Sequence, residues 1–193
     1  MFEIVINCKD FSRHGVISVQ DDILRLQEKL QEIITIMPAD GICYLDCSGI
    51  FFDDPAAKIL WTLEALGWGP LKNRNKHIVF LNLNDQALRT LVKGSEVWKK
   101  GSTPVCFMYI NDGVLRVAGG NEEVGTVIDM LLSQGKELQT DELAEMTGST
   151  AQKVSRALYK LSMNGILSRR KMISAGGRPR YSYSIFRPKQ ANG

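Results

Sequence analysis

Lys153, Arg156 and Lys160 recur three and four residues apart in a stretch where Val154, Ala157, Leu158 and Leu161 have helical spacing. That spacing gathers the cations on one exposed helix face. Gln152 stands beside them; Arg and Gln side chains can hydrogen-bond base edges, and Lys meets phosphate. Ser149 and Thr150, at the start of this helix, offer hydroxyls and free backbone N–H groups to a phosphate. Further on, Arg169-Arg170-Lys171 and Arg178-Pro179-Arg180 add cations to two strand-like runs. The chemistry these residues can do together is recognition of a polyanion. The candidate contacts are Ser149, Thr150, Gln152, Lys153, Arg156, Lys160, Arg169, Arg170, Lys171, Arg178 and Arg180.

The charge distribution points the same way. The chain has 193 residues and a formal net charge of only +3. Residues 1–147 hold 14 Lys+Arg and all 21 Asp+Glu, a net −7, whereas 148–193 hold the other 10 Lys+Arg and no acid, a net +10. Because these cations are threaded through apolar periodicity and aromatics, a folded basic module is expected rather than a solvated tail. Nucleic acid is the expected partner. A membrane surface is not, since no strongly amphipathic Trp/Phe-rich helix accompanies the charge. No run approaches the ~18 apolar residues of a membrane span. Met1-Phe2-Glu3-Ile4-Val5 lacks the basic and apolar regions of a secretory signal, so a cytoplasmic protein is expected.

Other reactive residues suggest no catalysis. Cys8, Cys43, Cys47 and Cys106 sit mostly in apolar runs and read as reduced core residues. Cys43 and Cys47, four residues apart on one strand, would lie about 13 Å apart, too far for a disulfide or a shared metal. His14 and His77 have no metal-ligand neighbours, and there is no P-loop, GxGxxG or GxSxG. No enzyme activity, metal or cofactor is expected.

Elements that could position the cationic residues follow from periodicity. Phe2–Ile6 and Val16–Val19 read as strands, Gln20–Met37 as a helix stopped by Pro38, and Gly41–Asp46 and His77–Leu81 as interior strands. Asp54 is the expected cap of a helix with Pro55 in its first turn, and Asn84-Asp85 start another helix reaching about Trp98. Asp112-Gly113 between two apolar alternations predicts a hairpin. The segment 67–76 reads as a loop whose Lys72-Asn73-Arg74-Asn75-Lys76 is read as solvated, with contact to DNA or an anionic ligand as the alternative. From Val124 the pattern becomes a helix closed by Gly135, a second helix capped by Thr140, a Gly148 turn, the cationic helix ending at Asn164-Gly165, and a strand pair. Tyr181 and Tyr183 read as strand-packing residues.

Two resemblances sharpen this outline. The segment Cys43-Tyr44-Leu45-Asp46-Cys47-Ser48-Gly49-Ile50-Phe51-Phe52-Asp53-Asp54-Pro55-Ala56-Ala57-Lys58 resembles the central strand-turn-helix of the STAS fold of anti-sigma-factor antagonists and anion-transporter tails. In phosphorylatable members of that family a serine opens the helix; here the place holds Asp54 or Pro55, so the resemblance implies protein contact through the helix. Residues 122–187, with Gly176-Gly177-Arg178-Pro179-Arg180-Tyr181 between two strand-like runs, resemble winged helix-turn-helix regulators of the MarR and related types. That resemblance implies a groove-reading third helix and a basic wing.

The expected fold class is therefore α/β: an N-terminal STAS-like sheet-and-helix domain followed by a C-terminal winged helix-turn-helix domain. The expected boundaries are 1–118, a linker at 119–123, 124–187 and a flexible tail at 188–193. The expected function is sequence-specific binding of double-stranded DNA in transcription regulation. The first domain would serve dimerisation, partner binding or ligand sensing, and a homodimer is expected. The alternative is a STAS-like partner-switching module whose winged helix contacts protein.

Overall fold

Apolar runs that alternate between two buried faces need cover on both sides, and the arrangement of the chain follows from that requirement. The computed structural model describes residues 2–19, 22–38, 41–63, 77–96, 106–120, 122–163, 165–172 and 180–187. The loop 67–76, the wing segment 173–179 with Arg178, and the tail 188–193 lie outside the described residues.

The first part runs β1 (Glu3–Asn7), a 3-10 turn (Cys8–Phe11), β2 (Val16–Ile17), α1 (Asp22–Ile36), β3 (Ile42–Asp46), β4 (Phe51–Phe52) and α2 (Asp54–Leu63). It continues with β5 (His77–Leu81), α3 (Asp85–Glu96), β6 (Cys106–Asn111) and β7 (Val114–Gly119). The rest is α4 (Glu122–Gln134), β8 (Leu138–Gln139), α5 (Thr140–Thr147), α6 (Ala151–Met163), β9 (Leu167–Met172) and β10 (Arg180–Ile185). The chain is thus mixed α/β, with six helices among the described residues. Its main sheet has the order β1-β3-β5-β6-β7, parallel except for the β6–β7 hairpin. Asp112 and Gly113 turn that hairpin with φ of 52° and 72°, both positive as a type I′ turn requires.

Period-two alternation sorts the sheet into two cores. Cys43, Leu45, Phe80, Phe107 and Tyr109 face α1, α2 and α3. Trp61 anchors this layer: its indole N–H donates to the Leu91 carbonyl at 2.9 Å, and its ring lies 5.0 Å from Phe107. Ile42, Tyr44, Val79, Cys106, Met108 and Ile110 face the other way, into one cluster with Val124, Val127, Ile128 and Leu131 of α4 and with Leu158, Ile166 and Phe186. The segment between β7 and α4 is tight: at Gly120 (φ 83°) a Cβ would come within 2.9 Å of Cys106 Sγ. His77 reinforces the shared layer. Its ring stacks on Phe186 at 3.5 Å and its Nδ1 lies 2.7 Å from the Gly165 carbonyl, which accepts the ring N–H.

Several local expectations shift. The cap of α2 is Asp53, whose Oδ1 accepts from the Ala56 N–H at 2.6 Å; Asp54 is already helical and pairs with Lys93 on α3. The N-cap position of α5 belongs to Gln139, whose N–H donates to Glu142 Oε2 at 2.6 Å, and Thr140 is the first helical residue. Val16-Ile17 joins no part of the main sheet; it pairs in parallel with Phe51-Phe52. Asn84 does cap α3, accepting from the Ala87 N–H at 2.8 Å.

Three consequences can be measured by urea unfolding. Asp53→Ala should cost about 1 kcal/mol as a lost helix cap, whereas Asp54→Ala, removing a solvent-exposed pair, should leave the midpoint nearly unchanged. Tyr44 Oη is buried with no hydrogen-bond partner among the described residues. Tyr44→Phe should therefore stabilise the protein, by about 1 kcal/mol. His77→Ala should cost about 2–3 kcal/mol through the lost ring stack and hydrogen bond.

Candidate nucleic-acid interface

The C-terminal unit is built around α6, whose apolar arc Val154, Ala157, Leu158 and Leu161 is buried. At about 100° per residue, Arg156 projects to the side opposite Val154, with Gln152 and Tyr159 flanking it. Gln152, Lys153, Ser155, Arg156 and Tyr159 are exposed. Tyr159, 60% exposed, is absent from the residues singled out from sequence. Its signal is present in the helical period, but cation spacing alone passes over it. Lys160 is half-buried. Lys153 and Lys160, seven residues apart, lie about 40° and 60° round the helix from Ala157, so both border the apolar arc, and Arg156 with Gln152 and Tyr159 forms the centre of the open face.

The approach to α6 is fixed by two local devices. Gly148 ends α5 in the left-handed conformation, φ 62°, which turns the chain sharply. Thr150 then caps α6: its Oγ1 accepts from the Lys153 N–H at 3.4 Å. Its acceptor capacity is thus partly used, and its own O–H remains to donate. Ser149 is half-buried beside it.

The sheet β8-β10-β9 is antiparallel, and its register distributes the strand cations. Leu167, Arg169 and Lys171 share a face with Tyr181, Tyr183 and Ile185, the face that packs on the helices. Arg170 and Arg180 share the opposite face with Ser182, whose hydroxyl donates to Glu137 at 2.7 Å. The Arg169 guanidinium lies over the Tyr181 ring, 4.5 Å from its centre. Tyr183 is half-buried, and burial raises its phenol above the ordinary value. The structure therefore places Arg169 and Lys171 on the side of α6, and Arg170 and Arg180 behind the ribbon. Lys153, Arg156, Arg169, Arg170, Lys171 and Arg180 form no ion pair among the described residues. The exposed acids nearest in sequence, Asp141, Glu142 and Glu145, are on α5.

The loop after β3 is a second polar feature. Asp46 Oδ1 accepts from the Ser48 N–H at 3.0 Å, the Ser48 hydroxyl at 2.6 Å and the Asn82 amide at 3.1 Å. The Ser48 hydroxyl is the largest influence holding the Asp46 carboxyl below its ordinary value of 3.8, helped by Asn82 and by the charge of Lys9. These bonds tie the end of β3 to the end of β5.

The cysteines belong to the core. All four are buried and free, and Cys8 Sγ lies 3.6 Å from Cys47 Sγ. Burial pushes the Cys43 thiol up to about 12, so it stays protonated at neutral pH. Among the described residues no three His, Cys, Asp or Glu side chains gather to hold a metal ion.

A depressed aspartate gives stability that is full above the unfolded-chain value and is lost as the pH falls toward the folded one. The stability difference between the natural protein and Asp46→Asn should thus be constant above about pH 5 and shrink steadily below about pH 4; urea midpoints across that range check it. Compared with known proteins, the chain matches no family model, and no curated protein is similar enough in sequence to stand as a relative.

Proposed function

We propose that the protein is a sequence-specific double-stranded-DNA-binding transcription regulator, with α6 in the major groove and the β9–β10 ribbon as its wing. The observation that carries this reading is the open face of α6. It presents Gln152, Lys153, Arg156 and Tyr159 to solvent, with no acid on the helix and no ion pair among the described residues occupying Lys153 or Arg156. The order helix, strand, helix, helix, strand, strand, with the short β8 joining the ribbon, supports a winged helix-turn-helix. Arg169 and Lys171, on the helix side of the ribbon, would meet phosphates flanking the groove. Arg170 and Arg180 would meet more distant phosphates or none. The five-stranded part, STAS-like in this reading, would hold two copies together and place their α6 helices about 34 Å apart. Among the described residues no helix is long and apolar enough to cross a membrane, and the cytoplasm is the proposed compartment.

Fluorescence anisotropy with duplexes selected from a random pool tests the proposal. A dimer engaging about six phosphates should lose about 10³ in affinity between 50 and 200 mM salt. Arg156→Ala should cost about 1–3 kcal/mol on the selected site and relax its sequence preference, while Lys171→Ala should lower the salt slope by about one for each phosphate it neutralises. A folded protein with no salt-sensitive duplex binding removes the proposal and leaves the protein-contact reading in its place.

A further inference from the structure

A cavity of about 340 Å³ opens between the start of α4 and the turn into α6. Its walls are Glu122, Thr126 and Val127 of α4 and, across from them, Thr147, Ser149, Lys153 and Val154. The volume is near the lower end of small-molecule sites, about 300–1,000 Å³.

The polar groups are of two kinds. Lys153 and the Ser149 hydroxyl are donors, and neither has a side-chain partner among the described residues. Glu122 is an acceptor, likewise unpaired among the described residues. Thr126 and Thr147 already donate their hydroxyls to the Glu122 and Leu143 carbonyls, at 3.0 and 2.7 Å, and so face the cavity as acceptors. Val127 and Val154, both buried, form an apolar wall.

From this arrangement we infer that the cavity binds a small zwitterion, a free α-amino acid with a neutral aliphatic side chain. Its carboxylate meets Lys153 and Ser149, where the positive end of α6 adds attraction. Its ammonium meets Glu122, with Thr126 and Thr147 available as acceptors, and its side chain rests on the two valines. A simple anion such as phosphate would face Glu122, and a simple cation would face Lys153. A ligand carrying both charges meets a complementary group on each wall. The inference does not rest on DNA binding: it concerns the free protein, and its failure would leave the proposed function untouched.

Isothermal titration calorimetry of the whole chain with L-alanine, L-valine, L-leucine and L-methionine tests it. At least one should bind at millimolar concentration. For L-leucine, if it is the binder, leucinamide and N-acetyl-leucine each keep one charge and should bind about tenfold or more weakly. Glu122→Gln should weaken the amino acid but not its N-acetyl form, and Lys153→Gln should weaken the amino acid but not its amide. Both side chains are exposed, and circular dichroism checks that the variants fold. Absence of binding by all four probes, or equal binding of the amino acid and both capped forms, overturns the inference.

Discussion

The main sheet is apolar on both faces, and everything else is arranged to keep both faces dry. Helices α1, α2 and α3 cover one side. A sheet of parallel strands left open on the other side would expose Ile42, Tyr44, Val79, Met108 and Ile110 to water. Instead α4 and the C-terminal unit close over them in a single cluster. The C-terminal unit is therefore seated on the sheet rather than tethered to it. His77 fixes that seat with one directional bond, to Gly165, and one ring stack, on Phe186. The orientation of α6 follows, because the arc it buries is part of the same layer and the arc it exposes is what remains.

Much of this is legible in the chain. The continuous apolar runs at 42–46 and 77–81 announce strands buried on both sides, and the Asp112-Gly113 turn announces the hairpin. What covers the second face is not legible, because period-two alternation shows that a face is buried but not by which distant segment. The caps shift by one residue for a similar reason: Asp53 and Asp54 are chemically alike, and only the direction of the side chain decides which accepts from Ala56. The pairing of Cys8 with Cys47 depends on the β1–β3 register, in which Asn7 lies beside Asp46, one step earlier along both strands. Two-residue strands such as β2, β4 and β8 are too short to carry a period.

The candidate interface is most legible where helical spacing applies and less so in the ribbon. Spacing alone puts Arg156 and Lys153 on an exposed face of α6, and they are exposed. It puts Lys160 there too, although that residue is half-buried. Taken as a run, Arg169-Arg170-Lys171 is one basic patch, yet strand alternation divides it, and that alternation is itself a property of the sequence. Tyr159 carries no charge, so the cation pattern that marks its neighbours does not mark it.

The cations after residue 147 make a physical argument of their own. Surface ion pairs contribute little to stability, so a fold gains little by pairing charges and loses little by leaving single ones in water. Concentrating one sign is different: ten cations and no acid after residue 147 repel one another, and that repulsion opposes the compact state. A surface shaped only by folding and solubility would mix the signs, as α1 does with Lys29 and Glu32 at 3.0 Å. With Arg170 and Arg180 on the ribbon's other face, part of that charge lies along a helix face and the helix side of the ribbon. A polyanion lying across both would turn the repulsion into attraction and release its own counterions on contact. In that account the charge that weakens the free protein is the same charge that strengthens the complex.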